Sequence, residues 1–248
     1  MKLYSEMAKW WPLLSPREDY ESESCFYAAL LTNAVDRWES ILELGCGSGY
    51  LASYFPDGLK KVMVDQSPSM LQQCAQANPE AELVQGDLRT VSLGQQFDVV
   101  LIHDALMYMT SRQSLIEAVE SAARHCRPGG VVLLLPDVVR ERFQDGNTLL
   151  AGRDGEGTAV RLMEWHWDPD PHDDTFQVEF CLLVRESESV QAFHESHTMG
   201  LFSEEAWCEI VAGAGLQLES AEVLPGMNVG EIFLARKPLD RAGSEEVR

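Results

Sequence analysis

The run Ile41-Leu42-Glu43-Leu44-Gly45-Cys46-Gly47-Ser48-Gly49-Tyr50-Leu51 narrows the choice of fold more than any other stretch of the chain. An apolar segment with strand character stops at glycines in alternate positions, and the chain resumes with residues able to start a helix. This reads as a strand, a tight turn and a helix N-terminus. Positions without a side chain let the backbone approach a ligand closely, and the free N–H groups of a helix start point outward toward it. The spacing departs from a dinucleotide fingerprint: Gly45 and Gly47 fit G-x-G-x-x-G, but Tyr50 stands in the third glycine's place and Gly49 comes one residue early. A Gly-rich turn of no chemical consequence is the competing reading, so the rest of the chain must decide.

The segments that follow alternate strand and helix from 41 to 136, which predicts a doubly wound α/β sheet. A helix is expected from Ser22 or Ser24 to about Arg37, ahead of the first strand. Residues 61–65 read as a second strand ending in Asp65, twenty positions beyond Gly45, where a carboxylate of a nucleoside-binding fold accepts hydrogen bonds from ribose hydroxyls. Ser67-Pro68 caps and starts the next helix, and Met70 in its first turn faces either adenine or the core. A third strand, 81–85, runs into Gly86-Asp87-Leu88, and a fourth, 97–102, leads to residues 103–109 past its carboxyl end, the side on which open α/β sheets bind ligands. A helix over about 111–126 and an almost wholly apolar strand 131–135, buried on both faces, complete this half.

Residues 144–157 are rich in Gly and Asp, and beyond them the period switches to two. Three antiparallel strands are expected at 158–168, 174–186 and 189–200, roofing the carboxyl edge of the sheet with Trp165, Trp167, Phe193, His194 and His197 as candidate lining. A helix from Ser203 to about Ala214 and strands at 216–224 and 229–236 end the ordered chain, with 238–248 read as a disordered tail. The domain reading is a lid and helix at 1–37, a cofactor-binding core at 38–157, a roof at 158–200, the end of the core at 201–237, and the tail.

Glu-x-Gly-x-Gly-x-Gly over 43–49, Asp65, Gly86-Asp87-Leu88 and the turn expected at Arg127-Pro128-Gly129-Gly130, in that order, resemble class I S-adenosylmethionine-dependent methyltransferases. Asp19-Tyr20, Met107-Tyr108-Met109 and His197-Thr198-Met199-Gly200-Leu201-Phe202 look similar to the branch that N-methylates amino groups of small metabolites, aminosugars among them. The resemblance covers about 3–236 and implies a seven-stranded Rossmann-like sheet, its last two strands a hairpin with the seventh strand reversed, and an inserted antiparallel layer over the active site. It implies S-adenosyl-L-methionine as cofactor and S-adenosyl-L-homocysteine as product. Glu43, Gly45, Cys46, Gly47, Asp65, Gln66, Met70, Asp87, Leu88 and the backbone of His103 are the expected cofactor contacts. Tyr20, Tyr108, Trp165 and His194 are expected at the acceptor, and Tyr4 and His103 join His197 as candidate catalytic groups. His197 leads because imidazole titrates near working pH.

Charge bounds the acceptor. Lys and Arg number 19 against 40 Asp and Glu, a formal charge of −21, which opposes approach to nucleic acid. The Asn/Asp-Pro-Pro-Tyr/Phe tetrad of nucleic-acid amino-methyltransferases is missing after the fourth strand, and 226–231 offers no basic residue to grip a diphosphate. A small amine-bearing acceptor is therefore expected, with transfer to a small hydroxyl or carboxyl, or a cofactor-binding module without turnover, as the alternatives; tight NADH binding would point to an oxidoreductase instead. Cysteines 25, 46, 74, 126, 181 and 208 are scattered, and no cluster with metal-ligand spacing stands out. No signal-like or membrane-spanning stretch is seen, so the expectation is a cytoplasmic protein, off the membrane, compatible with a homodimer.

Overall fold

Strand β1, Ser40–Leu44, lies between two parallel neighbours, which explains why both its faces are apolar: Ile41, Leu42 and Leu44 are fully buried. A computed structural model of the chain describes residues 1–222 and 231–239. It opens with a short helix α1, Trp11–Leu14, and α2, Glu21–Ala34. After β1 come β2, Lys60–Asp65; α3, Pro68–Ala77; β3, Glu82–Gln85; β4, Phe97–His103; α4, Arg112–His125; and β5, Cys126–Leu135. Four further strands follow, β6 Thr148–Asp154, β7 Thr158–Trp167, β8 Thr175–Glu186 and β9 Ser189–Gly200, then α5 Glu204–Gly213, β10 Gln217–Glu222 and β11 Ile232–Arg236. Among the described residues no helix is long and apolar enough to cross a membrane.

Seven strands form one sheet in the order β10-β11-β5-β4-β1-β2-β3, parallel throughout except that β11 runs antiparallel to both its neighbours. Alternate residues feed two cores. Ile41, Met63, Val99 and Leu101 pack with Tyr27 and Leu31 of α2 and Cys74 of α3, while Leu42, Val62 and Val100 pack with Leu115 and Val119 of α4 and Trp207 of α5. The strand order reverses between β1 and β4, and a crevice opens outside their carboxyl ends at that switch.

The second sheet, β6-β7-β8-β9, is wholly antiparallel. Its inner face presents Val160, Leu162, Phe176, Val178, Phe180 and Leu182, and the N-terminal arm inserts Leu3, Met7 and Trp10 against them. The arm is thus held between roof and core. The sequence pattern placed three strands here and left 144–157 irregular. β6 is an edge strand whose residues are nearly all exposed, so no apolar alternation announces it.

Two local expectations also change. No α-helix follows Gly49; a single 3-10 turn, Ala52–Tyr54, stands there, and Phe55 is already extended (φ −69°, ψ 156°) because Pro56 disfavours helical geometry in the residue before it. Arg127 to Gly130 lie within β5, irregularly paired with β4, rather than forming a separate turn. The stretch 226–231, apart from Glu231, and residues 240–248 of the expected tail lie outside the described residues.

Candidate active site

The crevice at the switch point is a cavity of about 470 Å³, a volume typical of small-molecule sites. The glycine turn forms its floor. Gly45 and Cys46 donate their N–H groups to Val64 O at 2.7 and 2.9 Å, which folds the turn over the end of β2. Gly45 (φ +76°) and Gly47 (φ +52°) take left-handed conformations, and a side chain on Gly45 would collide with Ala105. Asp65 completes the loop: Oδ2 accepts the Gly47 N–H at 2.8 Å and Oδ1 the Ser67 N–H at 2.7 Å. Burial raises its carboxyl from the ordinary value although these bonds pull the other way.

Glu43 projects from β1 into the same cavity, 2% exposed, with Oε2 lacking a hydrogen-bond partner among the described residues. Burial pushes its pKa up to about 8 despite the opposing charge of His103. A buried acceptor with a free lone pair leaves room for a ligand donor. Cys46, Gln66, Met70 and Leu88 line the walls around it.

Opposite the floor, β4 ends at His103 and Asp104. Asp104 has φ 54° and ψ −38°, a backbone geometry that non-glycine residues avoid and that concentrates at functional sites. His103 Nε2 lies 3.2 Å from Glu23 Oε1 and 3.2 Å from Asp104 Oδ1. Burial alone would lower the imidazole pKa, but Asp104, then Glu23 and Glu43, outweigh it and lift it to about 10. His103 is therefore a charged bridge rather than a free base at neutral pH. Asp137, just past β5, keeps accessible surface, yet the desolvation around it and the neighbouring Asp104 drive its carboxyl well above the usual range.

Two tyrosines meet at the roof side. The hydroxyls of Tyr4 and Tyr108 are 2.7 Å apart, and the Tyr108 hydroxyl is 3.0 Å from His197 Nδ1. Both tyrosines line the cavity, as does Tyr20; His197, 3% exposed, sits one hydroxyl behind the wall. Burial raises both phenol pKa values, so the hydroxyls stay protonated.

Four expected residues, Asp87, Trp165, Trp167 and His194, stand elsewhere. Asp87 is gripped through both carboxylate oxygens by Arg89, and it is Gly86 and Leu88 that face the cavity. Trp165, 45% exposed, stacks on Trp167 on the outer face of the roof, and His194 bonds Glu179 at 2.6 Å on that same face. Strand parity explains both: the inward positions are His166 beside Trp165 and Glu195 beside His194. Conversely Glu23, Asp104, Asp137 and Glu195 were not singled out in the sequence, since no spacing links four carboxylates on separate elements.

A profile described as "Methyltransferase domain" matches residues 41–130, from β1 into β5. The dTDP-3-amino-3,4,6-trideoxy-alpha-D-glucopyranose N,N-dimethyltransferase of Streptomyces venezuelae is 30% identical over 220 residues, 86% of this chain and 91% of that one. The chain belongs to the methyltransferase family. A second relative, the dTDP-3-amino-3,6-dideoxy-alpha-D-glucopyranose N,N-dimethyltransferase of Streptomyces fradiae, is 28% identical over 84% of this chain and 81% of its own. The crystal structure of Streptomyces venezuelae DesVI superimposes with a TM-score of 0.79 at 26% identity, covering 89% of this methyltransferase and 92% of DesVI. The S-adenosylmethionine-bound amino pentose methyltransferase CalS10 gives 0.77 at 24% identity over 88% and 91%. S-adenosylmethionine is the cofactor of this enzyme. The cavity fits it: the turn admits backbone approach, and Glu43 Oε2 is a buried acceptor in want of a donor.

Proposed function

We propose that this methyltransferase transfers a methyl group to the nitrogen of a small amine. The observation that carries the reading is the charge of the cavity wall. Asp65 and Asp104 line it beside Glu43, which burial leaves largely protonated at neutral pH; the charged His103 on the same wall is already bridged to Glu23 and Asp104, and among the described residues no Lys or Arg lines it. Such a wall favours a cationic or amine-bearing acceptor over a carboxylate. The relatives named for aminosugar dimethylation support the same acceptor atom.

When bound, the cofactor supplies a methyl on an already activated sulfonium. The chain's own residues then have to align and to manage one proton. Alignment is worth up to roughly 7–11 kcal/mol, and a general base adds about 10²–10⁴-fold. Asp65 and the Gly45–Gly47 backbone would hold the nucleoside and methionine ends, Glu43 would accept from the amino group, and Tyr4, Tyr108 and Tyr20 would hold the acceptor against the methyl. His197, whose pKa burial lowers, is neutral and able to take a proton through Tyr108. His103, already charged, is not.

The relatives' names carry a dTDP group, yet 223–231 of this chain contains no Lys or Arg. A panel separates the readings: methyl-labelled cofactor with free 3-amino-3-deoxyglucose, its dTDP-linked form, a simple alcohol and a carboxylate, products identified by mass spectrometry. N-methyl products are expected. Methyl ethers or esters alone would refute the amine assignment, and cofactor binding without transfer to any acceptor in a metabolite extract would leave only a binding module. The six free thiols support a reducing, cytoplasmic setting.

A further inference from the structure

The tyrosine pair is the near end of a longer chain of contacts. Glu195, facing inward from β9, accepts the backbone N–H of Lys2 at 2.6 Å and of Leu3 at 2.8 Å, and its Oε2 lies 3.4 Å from His197 Nε2. The contact is electrostatic rather than a formed hydrogen bond: Nε2 is buried and makes no hydrogen bond among the described residues, and the Glu195 carboxylate is the charged group beside it. We propose that Glu195, acting through His197, is a positioning residue that sets the direction of the His197–Tyr108–Tyr4 hydrogen-bond chain, so that a Tyr4 oxygen lone pair faces the acceptor nitrogen once the N-terminal arm is seated. This rests on the amine reading above.

The direction follows from donor and acceptor chemistry. An ionised carboxylate only accepts, so the imidazole nitrogen facing Glu195 must carry the hydrogen. Nδ1 is then a lone pair, and the Tyr108 hydroxyl donates to it at 3.0 Å. With its proton committed, the Tyr108 oxygen accepts from the Tyr4 hydroxyl at 2.7 Å. The Tyr4 oxygen is left with lone pairs at the cavity, which suits an N–H donor. The opposite tautomer would set lone pair against lone pair at Glu195.

Charge states agree. Burial works against ionisation of Glu195, but the Lys2 and Leu3 amides and His197 hold its carboxyl below the ordinary value. Burial lowers the His197 pKa although Glu195 opposes it. The titratable groups facing His197 are Glu195 on its own strand, Tyr108 from the turn Ala105–Tyr108, and Tyr4 and the terminal ammonium from the arm; β8 sets apolar Val178 and Phe180 against it. An acceptor arriving as ammonium can lose its proton along this path. Its N–H bond breaks as Tyr4 oxygen gains that proton, Tyr4 passes its own to Tyr108, and Tyr108 passes its own to Nδ1, leaving a neutral amine and an imidazolium facing Glu195. The arm is tied to the cofactor side too: the Ser67 hydroxyl donates to Tyr4 O and its oxygen caps α3 by accepting the Met70 N–H at 3.3 Å.

Nitrogen-15 NMR of histidine-labelled protein tests the direction without any substrate, with His197 assigned among the six histidines by loss of its signal in His197→Gln. Wild type should show the Nε2–H tautomer at neutral pH, and Glu195→Gln, whose amide can donate to Nε2, should shift it toward Nδ1–H. A wild-type Nδ1–H tautomer, or one unchanged in Glu195→Gln, overturns the proposal even if activity falls. In the kinetic arm, with 3-amino-3-deoxyglucose free or dTDP-linked, Glu195→Gln should lower kcat about 10- to 100-fold and move its acid limb to lower pH, with cofactor affinity within about twofold. Glu195→Asp should recover part of the loss. In a Tyr108→Phe background Glu195→Gln should cost less than about threefold; a full additive cost overturns the relay and makes Glu195 a tether of the arm. The expected tautomer with methyl transfer to oxygen alone would remove the amine reading and its half of this inference, and leave the direction of the chain standing.

Discussion

Asp65 does two jobs at once, since the carboxylate expected to meet the ribose also holds the glycine turn through the Gly47 N–H. Charged hydrogen bonds are worth about 1.5–3 kcal/mol each, so Asp65→Ala should weaken cofactor binding at least about tenfold by calorimetry, with Asp65→Asn in between. His103 gives a pH signature. Its folded pKa, about 10, lies above the ordinary 6.5, so the bridge to Glu23 and Asp104 contributes stability that is complete below about pH 6.5 and is lost as pH rises through about 10. Melting temperature should therefore fall between about pH 7 and 10, and His103→Gln should flatten that fall; an unchanged slope would show that another group titrates. Gly45, Gly47 and Asp65 were legible in the sequence because turn geometry and strand length fix their spacing. The bridge that holds the Asp87 carboxylate against Arg89, with Gly86 and Leu88 rather than Asp87 on the cavity wall, carries no signal in the spacing.

The arm and the roof stand or fall together as elements. Trp10, 6% exposed, rests on the roof's apolar face beside Phe193 and donates its indole N–H to Glu186 at 3.1 Å. Trp10→Ala should cost about 3 kcal/mol by analogy with other aromatic truncations, a drop of about 6–12 °C in melting temperature for a chain of this size. Loss of transfer at a temperature where the variant is still folded, with cofactor affinity kept, would show that the arm seats the acceptor rather than the cofactor. Alternation revealed β7 to β9 because one face is buried. It could not say which of Trp165 and His166, or His194 and Glu195, points inward, since a shift of one residue reverses every side chain and the register is fixed only by pairing with β8. The Gly49 segment failed as a helix for a local reason, Pro56, whose force depends on how far the turn extends.

Over the whole molecule a formal charge of −21 means self-repulsion, screened within about 10 Å at 0.1 M salt. Raising ionic strength from about 0.01 to 0.5 M should increase the melting temperature, and a decrease would mean that ion pairs such as Arg127–Asp98 outweigh the repulsion. The succession of strands and helices along 41 to 136 was readable because each element carries its own local pattern, whereas their order in the sheet, with β4 returning to pair beside β1, is set by contacts distant in sequence. The reversed last strand was expected from the family resemblance alone; no local pattern announces that β11 enters the sheet between β5 and β10, pairing Phe233 with Leu134 across ninety-nine residues of chain (233 − 134). During synthesis on the ribosome the β5 edge must therefore wait, unpaired, while the roof and α5 are made. The roof has no such delay, because each of its strands pairs only with its neighbour in sequence and can close as it emerges. An open, apolar β5 edge in a half-made chain is an invitation to pair with another nascent chain, so yield in the cell should depend on translation rate and chaperone supply more than the stability of the finished enzyme would suggest.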